Sequence, residues 1–222
     1  MENCNREIAA CLEELKADAL GIGDMSLYDR DLVGLDNKIK EELPFAVSFG
    51  LALSKSMLDT ITDGPTQLYL HHYRQLNYRL DMIGYLLSRE IEKKGYKALP
   101  FAASQVIDWQ HQRGHISHKH IGVIAGIGWI GRNNLLVNPV FGAQARYNTV
   151  LTDMPLTAGK PFDRGCVACM ACVNACPASA IKEQAEFFDH KGCYEMLGRF
   201  RKERNIGHHI CGICVSACKG ER

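Results

Sequence analysis

The stretch RGCVACMACVNACPASAIKE, residues 164–183, decides what kind of fold the C-terminal part of the chain forms. It places four cysteines within eleven positions, spaced C-x2-C-x2-C-x3-C, and a proline follows the last of them. Three thiolates at two-residue intervals wrap one side of a 4Fe–4S cluster, while the fourth, after a longer step, reaches a second cluster. The stretch therefore predicts a small ferredoxin-like module that holds two 4Fe–4S clusters.

Two clusters need eight cysteine ligands, and the chain supplies the remaining four further on. Cys193 stands alone, and the later stretch CGICVSACKG forms a second group spaced C-x2-C-x3-C. We expect the first cluster to be bound by Cys166, Cys169, Cys172 and Cys218. We expect the second to be bound by Cys176, Cys193, Cys211 and Cys214.

Other cysteine chemistries account for the pattern less completely. Two structural zinc sites would also use eight ligands, but they usually show separated C-x2-C pairs rather than one continuous run. A thioredoxin-like redox site would use two cysteines and leave six unexplained. The other two cysteines, Cys4 and Cys11, lie seven residues apart on the apolar face of a predicted helix, where we expect them to pack as small hydrophobic residues.

Charge and hydropathy exclude several classes of partner. The 222 residues include 26 basic and 25 acidic side chains, a formal net charge of +1, so there is no strong signal for nucleic acid or for an anionic membrane. Glutamates interrupt the N-terminal stretch where a secretory signal would be apolar, and no window approaches the roughly 18 apolar residues of a membrane span. We therefore expect a cytoplasmic protein with no membrane partner, in which crowded cysteines indicate metal rather than disulfides.

The first 158 residues show the element order of an α/β domain. Apolar spacing predicts an amphipathic helix over the first 20 residues, ended by Gly21 and Gly23, and a long helix over 66–95 after Pro65. Short apolar runs predict strands at 43–53 and 96–104, and then come a helix near 117–128 and two strands up to residue 154. Prolines and glycines in 155–165 break the periodicity. They predict a boundary between a domain at 1–158 and one at 159–222.

A glycine-rich segment ahead of the cysteines raises the alternative of nucleotide binding. Gly126, Gly128 and Gly131 match G-x-G-x-x-G, and Asp153 follows 22 residues after the last of them. That fingerprint requires a helix that begins at the glycines. Here two asparagines, a β-rich run and Pro139 follow instead, so the match is a weak one.

The same segment carries a family resemblance. AGIGWIGRNNLLVNPVFG (125–142), LTDMPL (151–156) and the cysteine order resemble the epoxyqueuosine reductase family, to which reductive dehalogenases are related. The resemblance implies a corrinoid-type α/β domain, similar to flavin nitroreductases, that binds cobalamin and receives single electrons from the clusters. It also implies that the backbone at Gly126, Gly128, Trp129 and Gly131 lies beside the corrinoid, with Arg132 at its edge. Expected partners are an electron donor such as a ferredoxin or flavodoxin, and a small-molecule or nucleoside substrate.

The chain departs from that family at the position of its catalytic acid. Ala102 and Ala103 stand where the resemblance would place a carboxylic acid, so Asp108, His115 and His118 become the candidate catalytic residues, although a solvated loop would account for them too. The family's reductases are also much longer, and many carry a helical extension for tRNA. Two other functions stay open: a ferredoxin-like electron-transfer protein without cobalamin that serves a partner enzyme, and an adaptor that the clusters merely stabilise.

Overall fold

The computed structural model describes residues 2–220, and these form two compact units. The first unit comprises the residues up to 51 together with 77–128 and 146–162. The second comprises 52–76, 129–145 and the residues from 163 onward. Each unit is thus assembled from alternating stretches of the chain, and the predicted boundary between residues 158 and 159 stays a prediction.

A four-stranded sheet organises the first unit, with strands in the order β1, β2, β6, β3. Strand β1 (Ala19–Asp24) is antiparallel to β2 (Phe45–Ala52), with Ala19 opposite Gly50. Strand β3 (Ala98–Pro100) is antiparallel to β6 (Ala145–Thr152), with Pro100 opposite Val150. The two long strands β2 and β6 lie at the centre and are almost entirely buried.

Helices cover this sheet and complete its core. They are α1 (Glu2–Glu14), α2 (Ile39–Glu42), α5 (His118–Ile124) and the C-terminal part of α4 (Gln67–Lys93), with a 3-10 turn at Met25–Leu27. Helix α1 buries Ile8 and Leu12, and α5 packs on β1. One cluster of buried side chains in this unit consists of Met25, Tyr28, Leu32, Leu43, Ala46, Phe101, Ile116, Ile121, Ile124 and Leu151.

The prediction for the N-terminal segment was wrong in one respect. The helix ends at Glu14, and the glycines predicted to end it lie inside β1. A Cβ on Gly21 would lie 2.3 Å from the carbonyl oxygen of Ala125, and one on Gly23 would lie 2.9 Å from Ile124 Cγ1. The two glycines therefore allow the end of α5 to approach the strand closely.

The second unit is built of short elements around the cysteine segment. They are α3 (Lys55–Leu58), the start of α4, the strand pair β4 (Trp129–Ile130) and β5 (Leu136–Val137), α6 (Ala171–Ala175), a 3-10 turn (Ala185–Phe187), α7 (His190–Glu203) and α8 (Ile213–Ala217). Helices α6 and α8 contact each other. The buried apolar cluster of this unit consists of Leu53, Leu58, Ile61, Tyr69, Leu70, Ile206 and Ile210.

The predicted α/β class and the long helix are confirmed. Helix α4 begins after Pro65, where the Thr66 hydroxyl accepts a hydrogen bond from the amide of Tyr69 at 3.1 Å, and it ends just before Gly95. Within residues 2–220, no helix combines the length and the apolar character needed to cross a membrane.

Candidate metal centre and active-site loop

The first predicted group of cysteines comes together around α6 and the end of α8. Cys172 lies on α6, Cys166 and Cys169 precede that helix, and Cys218 ends α8. Burial raises the pKa of the Cys172 thiol to about 11, and the neighbouring charges of Cys218, Cys166 and Cys169 act in the same direction. Each of the three partners is therefore close enough to Cys172 to feel its charge, and together they are the four ligands predicted for the first cluster.

The second group is defined in the same way. Cys176 ends α6, Cys193 lies on α7, and Cys211 and Cys214 lie at the start of α8. The pKa of Cys211 is raised to about 11, mainly by burial and also by charges on Cys193 and Cys176. Burial raises the pKa of Cys214 more strongly still, and charges on Cys211, Cys193, Cys172 and Cys176 act in the same direction. The two groups lie near each other, since Cys214 also feels the charge of Cys172, and the assignment of each cysteine to one cluster stays a prediction.

The donor set fits iron–sulfur clusters. All ten cysteines are free thiols, which leaves the eight grouped ones available as ligands. Burial raises the pKa of several of these thiols, including Cys172, Cys211 and Cys214, so their thiolate forms need a cation that compensates their charge, as iron does in a cluster. Among residues 2–220, no three Cys, His, Asp or Glu side chains are placed to hold one single metal ion.

Glycines allow the backbone to approach the first group closely. A Cβ on Gly131 would lie 3.5 Å from Cys166 Sγ and only 2.5 Å from Val137 Cγ2. Gly142 has a φ of +61°, and a Cβ there would lie 2.3 Å from the carbonyl oxygen of Cys218. Gln144 also holds α8, since its Nε2 donates to the carbonyl oxygen of Ser216 at 2.9 Å. The segment after β4 therefore forms part of the wall around the first group.

The residues predicted to lie beside a corrinoid fall into both units. Gly126, with a φ of +72°, belongs to the first unit, where a Cβ would lie 2.6 Å from the carbonyl oxygen of Lys160. Gly128 also belongs to the first unit, whereas the buried Trp129 and Gly131 belong to the second. At Gly126 and Gly131 the close neighbours are atoms of the chain itself. Their corrinoid contacts stay a prediction.

The side chain of Arg132 is bonded to backbone carbonyl oxygens of the chain itself. Its Nη2 donates to the carbonyl oxygen of Val167 at 2.7 Å, its Nη1 donates to that of Cys169 at 3.0 Å, and its Nε donates to that of Glu183. The guanidinium thus binds the backbone of the cysteine loop, and its predicted place at the edge of a corrinoid stays a prediction.

The loop that replaces the family's acidic segment is held firmly in the first unit. The amide of Ala103 donates to Asp81 Oδ1 at 2.8 Å, and its carbonyl oxygen accepts from Arg146 Nη2 at 3.4 Å. Arg146 Nε also donates to Asn77 Oδ1 at 3.1 Å. The sequence analysis missed this network. Its only signal was the polar pair Asn77 and Asp81, spaced i and i+4 on a helix whose inner face is otherwise apolar.

A small cavity of about 80 Å³ lies beside this loop. Its lining is Phe101, Ala102, Ala103, Ser104, Gln105, Gly114, His115, Ile116 and His118. His118 uses both ring nitrogens: Nδ1 lies 2.9 Å from Thr149 Oγ1, and Nε2 lies 3.0 Å from the carbonyl oxygen of Ala102. Burial lowers the pKa of His118 to about 4, so the ring is neutral at pH 7. His115 Nδ1 lies 2.7 Å from the carbonyl oxygen of Val33.

Asp108 is engaged within its own loop. Its carboxylate accepts from Arg113 Nη2 at 2.8 Å and from the amide of His111 at 3.0 Å, and it lies 2.8 Å from His111 Nδ1. The Arg113 guanidinium and the bonds from His111 hold the pKa of this carboxyl far below its ordinary range. Asp108 is therefore ionised at neutral pH, which does not suit a group that must donate a proton.

Two buried oxygens in the first unit have no hydrogen-bond partner among the described residues. They are Ser48 Oγ on β2 and Tyr147 Oη on β6. Burial also raises the pKa of Tyr147, so its phenol stays protonated. Because a buried, unpaired polar group is costly, such atoms are natural partners for a polar molecule bound by the domain. This fits a corrinoid, whose rim carries amide groups.

The chain is similar to known reductive dehalogenases and epoxyqueuosine reductases. Over 182 residues the chain is 26% identical to the tetrachloroethene reductive dehalogenase of Sulfurospirillum multivorans, which covers 76% of this chain and 34% of that protein. Over 113 residues it is 30% identical to the epoxyqueuosine reductase of Bacillus cereus, covering 47% and 30%. The epoxyqueuosine reductase structure from Streptococcus thermophilus superposes with a TM-score of 0.68 at 18% identity, covering 97% and 65%. No model of a protein family matches the chain.

The chain is similar in sequence to reductive dehalogenases and epoxyqueuosine reductases, and it shares the fold of the epoxyqueuosine reductase structure. These similarities support a resemblance to the epoxyqueuosine reductase family, of which this chain would be a short and divergent relative. The chain spans about a third of the length of the two curated relatives described above.

Proposed function

We propose that the chain is an iron–sulfur oxidoreductase in which two 4Fe–4S clusters serve a bound corrinoid and its substrate. The observation that carries this proposal is the grouping of the cysteines. Cys172 feels the charges of Cys166, Cys169 and Cys218, and Cys214 feels those of Cys211, Cys193, Cys172 and Cys176, although these cysteines span a segment of more than 50 residues. When bound, the clusters supply one-electron transfer and the corrinoid supplies reduction of the substrate.

The residues of this chain have separate roles in that proposal. The eight grouped cysteines hold the clusters, and the buried Tyr147 and Ser48 offer hydrogen bonds to the corrinoid. The loop from Phe101 to His118 borders a cavity whose lining includes the candidate catalytic residues His115 and His118. His118 is already bonded at both nitrogens and therefore orients this loop, which leaves His115 as the candidate proton donor on the cavity wall.

The substrate class follows from the missing acid. With alanine at 102 and 103 and with Asp108 ionised, the loop carries no carboxylic acid suited to protonating an opened epoxide. The similarity to epoxyqueuosine reductases therefore supports a common fold more than a common substrate. We propose a small-molecule substrate, with a nucleoside as the alternative, and a ferredoxin or flavodoxin as the electron donor.

A second candidate function is electron transfer without cobalamin to a partner enzyme. The observation that favours it is the same loop, because its backbone at Ala103 is fixed by Asp81 and Arg146, as in a purely structural segment. Under this alternative the first unit serves as a docking scaffold, and only the clusters of the second unit are chemically active.

Metal analysis distinguishes the two candidates. The protein is purified under anaerobic conditions, its clusters are reconstituted, and iron, sulfide and cobalt are counted per chain after incubation with hydroxocobalamin. About eight irons with about one cobalt per chain supports the reductase. Eight irons without cobalt would leave the electron-transfer protein, and zinc in place of iron would rule out both.

A further inference from the structure

One arginine side chain connects three distant points of the cysteine segment. All three guanidinium nitrogens of Arg132 donate to backbone carbonyl oxygens, which belong to Val167, Cys169 and Glu183. The first two acceptors lie inside the loop from Cys166 to Cys172, and the third lies beyond Cys176. A single side chain therefore bridges both ends of the segment that supplies most ligands of the first cluster.

The geometry also determines which way the loop presents its amides. In a trans peptide the N–H points opposite to the C=O, so the amides of Ala168 and Met170 point away from Arg132 when the preceding carbonyls face it. Hydrogen bonds from backbone amides to cluster sulfurs stabilise the reduced cluster and raise its potential. The arginine thus holds the carbonyl side of the loop and leaves the amide side for the cluster.

Charge adds to this effect. The guanidinium keeps its proton in proteins, and its planar fork can serve several carbonyls at once, whereas a lysine ammonium acts as a single point charge. The residue before it, Gly131, approaches Cys166 Sγ closely, so Arg132 lies next to the first group of thiolates. A fixed positive charge beside a cluster favours the more negative, reduced form.

We propose that Arg132 is a positioning residue for the first cluster: it fixes the Cys166–Cys172 loop before the cluster is inserted, and its charge raises the reduction potential of that cluster. The inference rests on the proposed function, since it requires the 4Fe–4S clusters. It assigns Arg132 to electron delivery, in place of the corrinoid contact that the family resemblance implies.

The test compares Arg132→Gln and Arg132→Lys with wild type in the full chain, reconstituted anaerobically. Iron is counted per chain, and both clusters are followed by electron paramagnetic resonance during a redox titration. The signal of the first cluster is the one that Cys218→Ser removes. The matched control is Arg199→Gln, an exposed arginine on α7 in the same unit whose Nε lies 3.5 Å from Glu203 Oε1.

We expect Arg132→Gln to lower iron from about eight per chain towards four, and to shift the remaining first cluster to a lower potential. Arg132→Lys should also lose iron, because one ammonium cannot bridge three carbonyls, but its potential should stay closer to that of wild type. Arg199→Gln should match wild type in both measurements. The reduction potential of the first cluster reports the effect of the charge, whereas the iron content reports the loss of loop structure. The two effects can therefore be distinguished by comparing the two Arg132 variants.

Two results would overturn the inference. If wild type holds eight irons and both Arg132 variants keep that iron and both potentials, only the role of Arg132 is wrong. If wild type takes up no iron after reconstitution, the proposed function fails and the inference fails with it. Circular dichroism of the apo-proteins monitors folding, and Arg132→Lys, which keeps the charge, decides the matter if the glutamine variant does not fold.

Discussion

His118 Nε2 lies 3.0 Å from the carbonyl oxygen of Ala102, at the position where the family resemblance implies a catalytic acid. The other ring nitrogen faces Thr149 Oγ1, so the imidazole joins β6 to the loop that follows β3. The histidine expected as a catalyst thus also connects this loop to the sheet. Its consequences for stability can be measured directly.

Acid should destabilise the protein through this histidine. Burial lowers the pKa of His118 from 6.5 to about 4, so its neutral form stabilises the fold fully above pH 6.5. As the pH falls from 6.5 to 4, the unfolded chain binds a proton that the folded one does not, and up to about 3 kcal/mol of stability is lost. Urea unfolding at a series of pH values should show this slope. His120, whose pKa is also lowered to about 4, contributes in the same direction.

The variant His118→Asn should be less stable at pH 7 and should lose part of that pH dependence. The control is His71→Asn on the exposed side of α4, which should keep the wild-type slope. An unchanged slope in His118→Asn would show that the imidazole is not neutral and bonded in the folded protein.

Asp108 should matter for loop order and not for proton donation. Asp108→Asn removes the ion pair with Arg113, so we expect faster amide exchange at Ile107 and Arg113, whose backbones are bonded across the loop. Removing a true general acid would slow catalysis about a hundredfold or more. We expect corrinoid-dependent turnover by Asp108→Asn to be slowed by much less than a hundredfold. A loss of that size would restore Asp108 as the catalytic acid.

A structural feature can be predicted from the sequence when the residues that determine it are close together in the chain. Cysteine spacing within a few residues is enough to predict two ligand sets, because cluster stoichiometry limits the solutions, and those sets stay a prediction. Strand β1 was missed because Gly21 and Gly23 look like turn residues, and the close approach of Ala125 that requires them is 100 residues away. The bonds of Arg132 span 35 to 51 residues, a separation that no periodicity reveals. Contacts between distant segments were therefore the unpredictable part.

Tyr147 offers a test of the proposed cofactor that does not depend on turnover. Its buried hydroxyl has no partner among the described residues, so Tyr147→Phe should stabilise the protein without cofactor by about 1 kcal/mol. The same variant should bind hydroxocobalamin several-fold more weakly if Oη bonds the corrinoid. Thermal unfolding and equilibrium binding measure the two effects on one sample.

Tyr28→Phe is the matched control for this pair of effects. The amide of Ser117 donates to Tyr28 Oη at 3.0 Å, so removal of that oxygen leaves a donor without its acceptor and should cost about 1–3 kcal/mol. If Tyr147→Phe also destabilised the protein, its hydroxyl would have a partner within the chain and would not await a ligand.

The assignment of cysteines to two clusters predicts independent losses. Cys218→Ser should leave the second cluster, and Cys193→Ser should leave the first, with about four irons each. Cys4→Ser, in α1 and outside both groups, should keep about eight. Mössbauer or electron paramagnetic resonance spectra identify the surviving cluster. Loss of both clusters from either single variant would contradict the independent ligand sets.

Gly142 should be essential for the first cluster for steric reasons. Its φ of +61° already disfavours a side chain, and a Cβ would lie 2.3 Å from the carbonyl oxygen of Cys218 and 2.3 Å from the amide nitrogen of Gly220. Because both obstacles are backbone atoms, Gly142→Ala must displace the chain around Cys218, at a cost of about 1–3 kcal/mol. We expect iron to fall towards four per chain while the second cluster is retained. Gly165→Ala is the control: it precedes Cys166 directly, yet a Cβ there meets nothing within 4 Å, so both clusters should remain. If Gly142→Ala and Gly165→Ala held the same amount of iron per chain, the backbone near Cys218 could move while the Cys218 thiolate still bound the cluster.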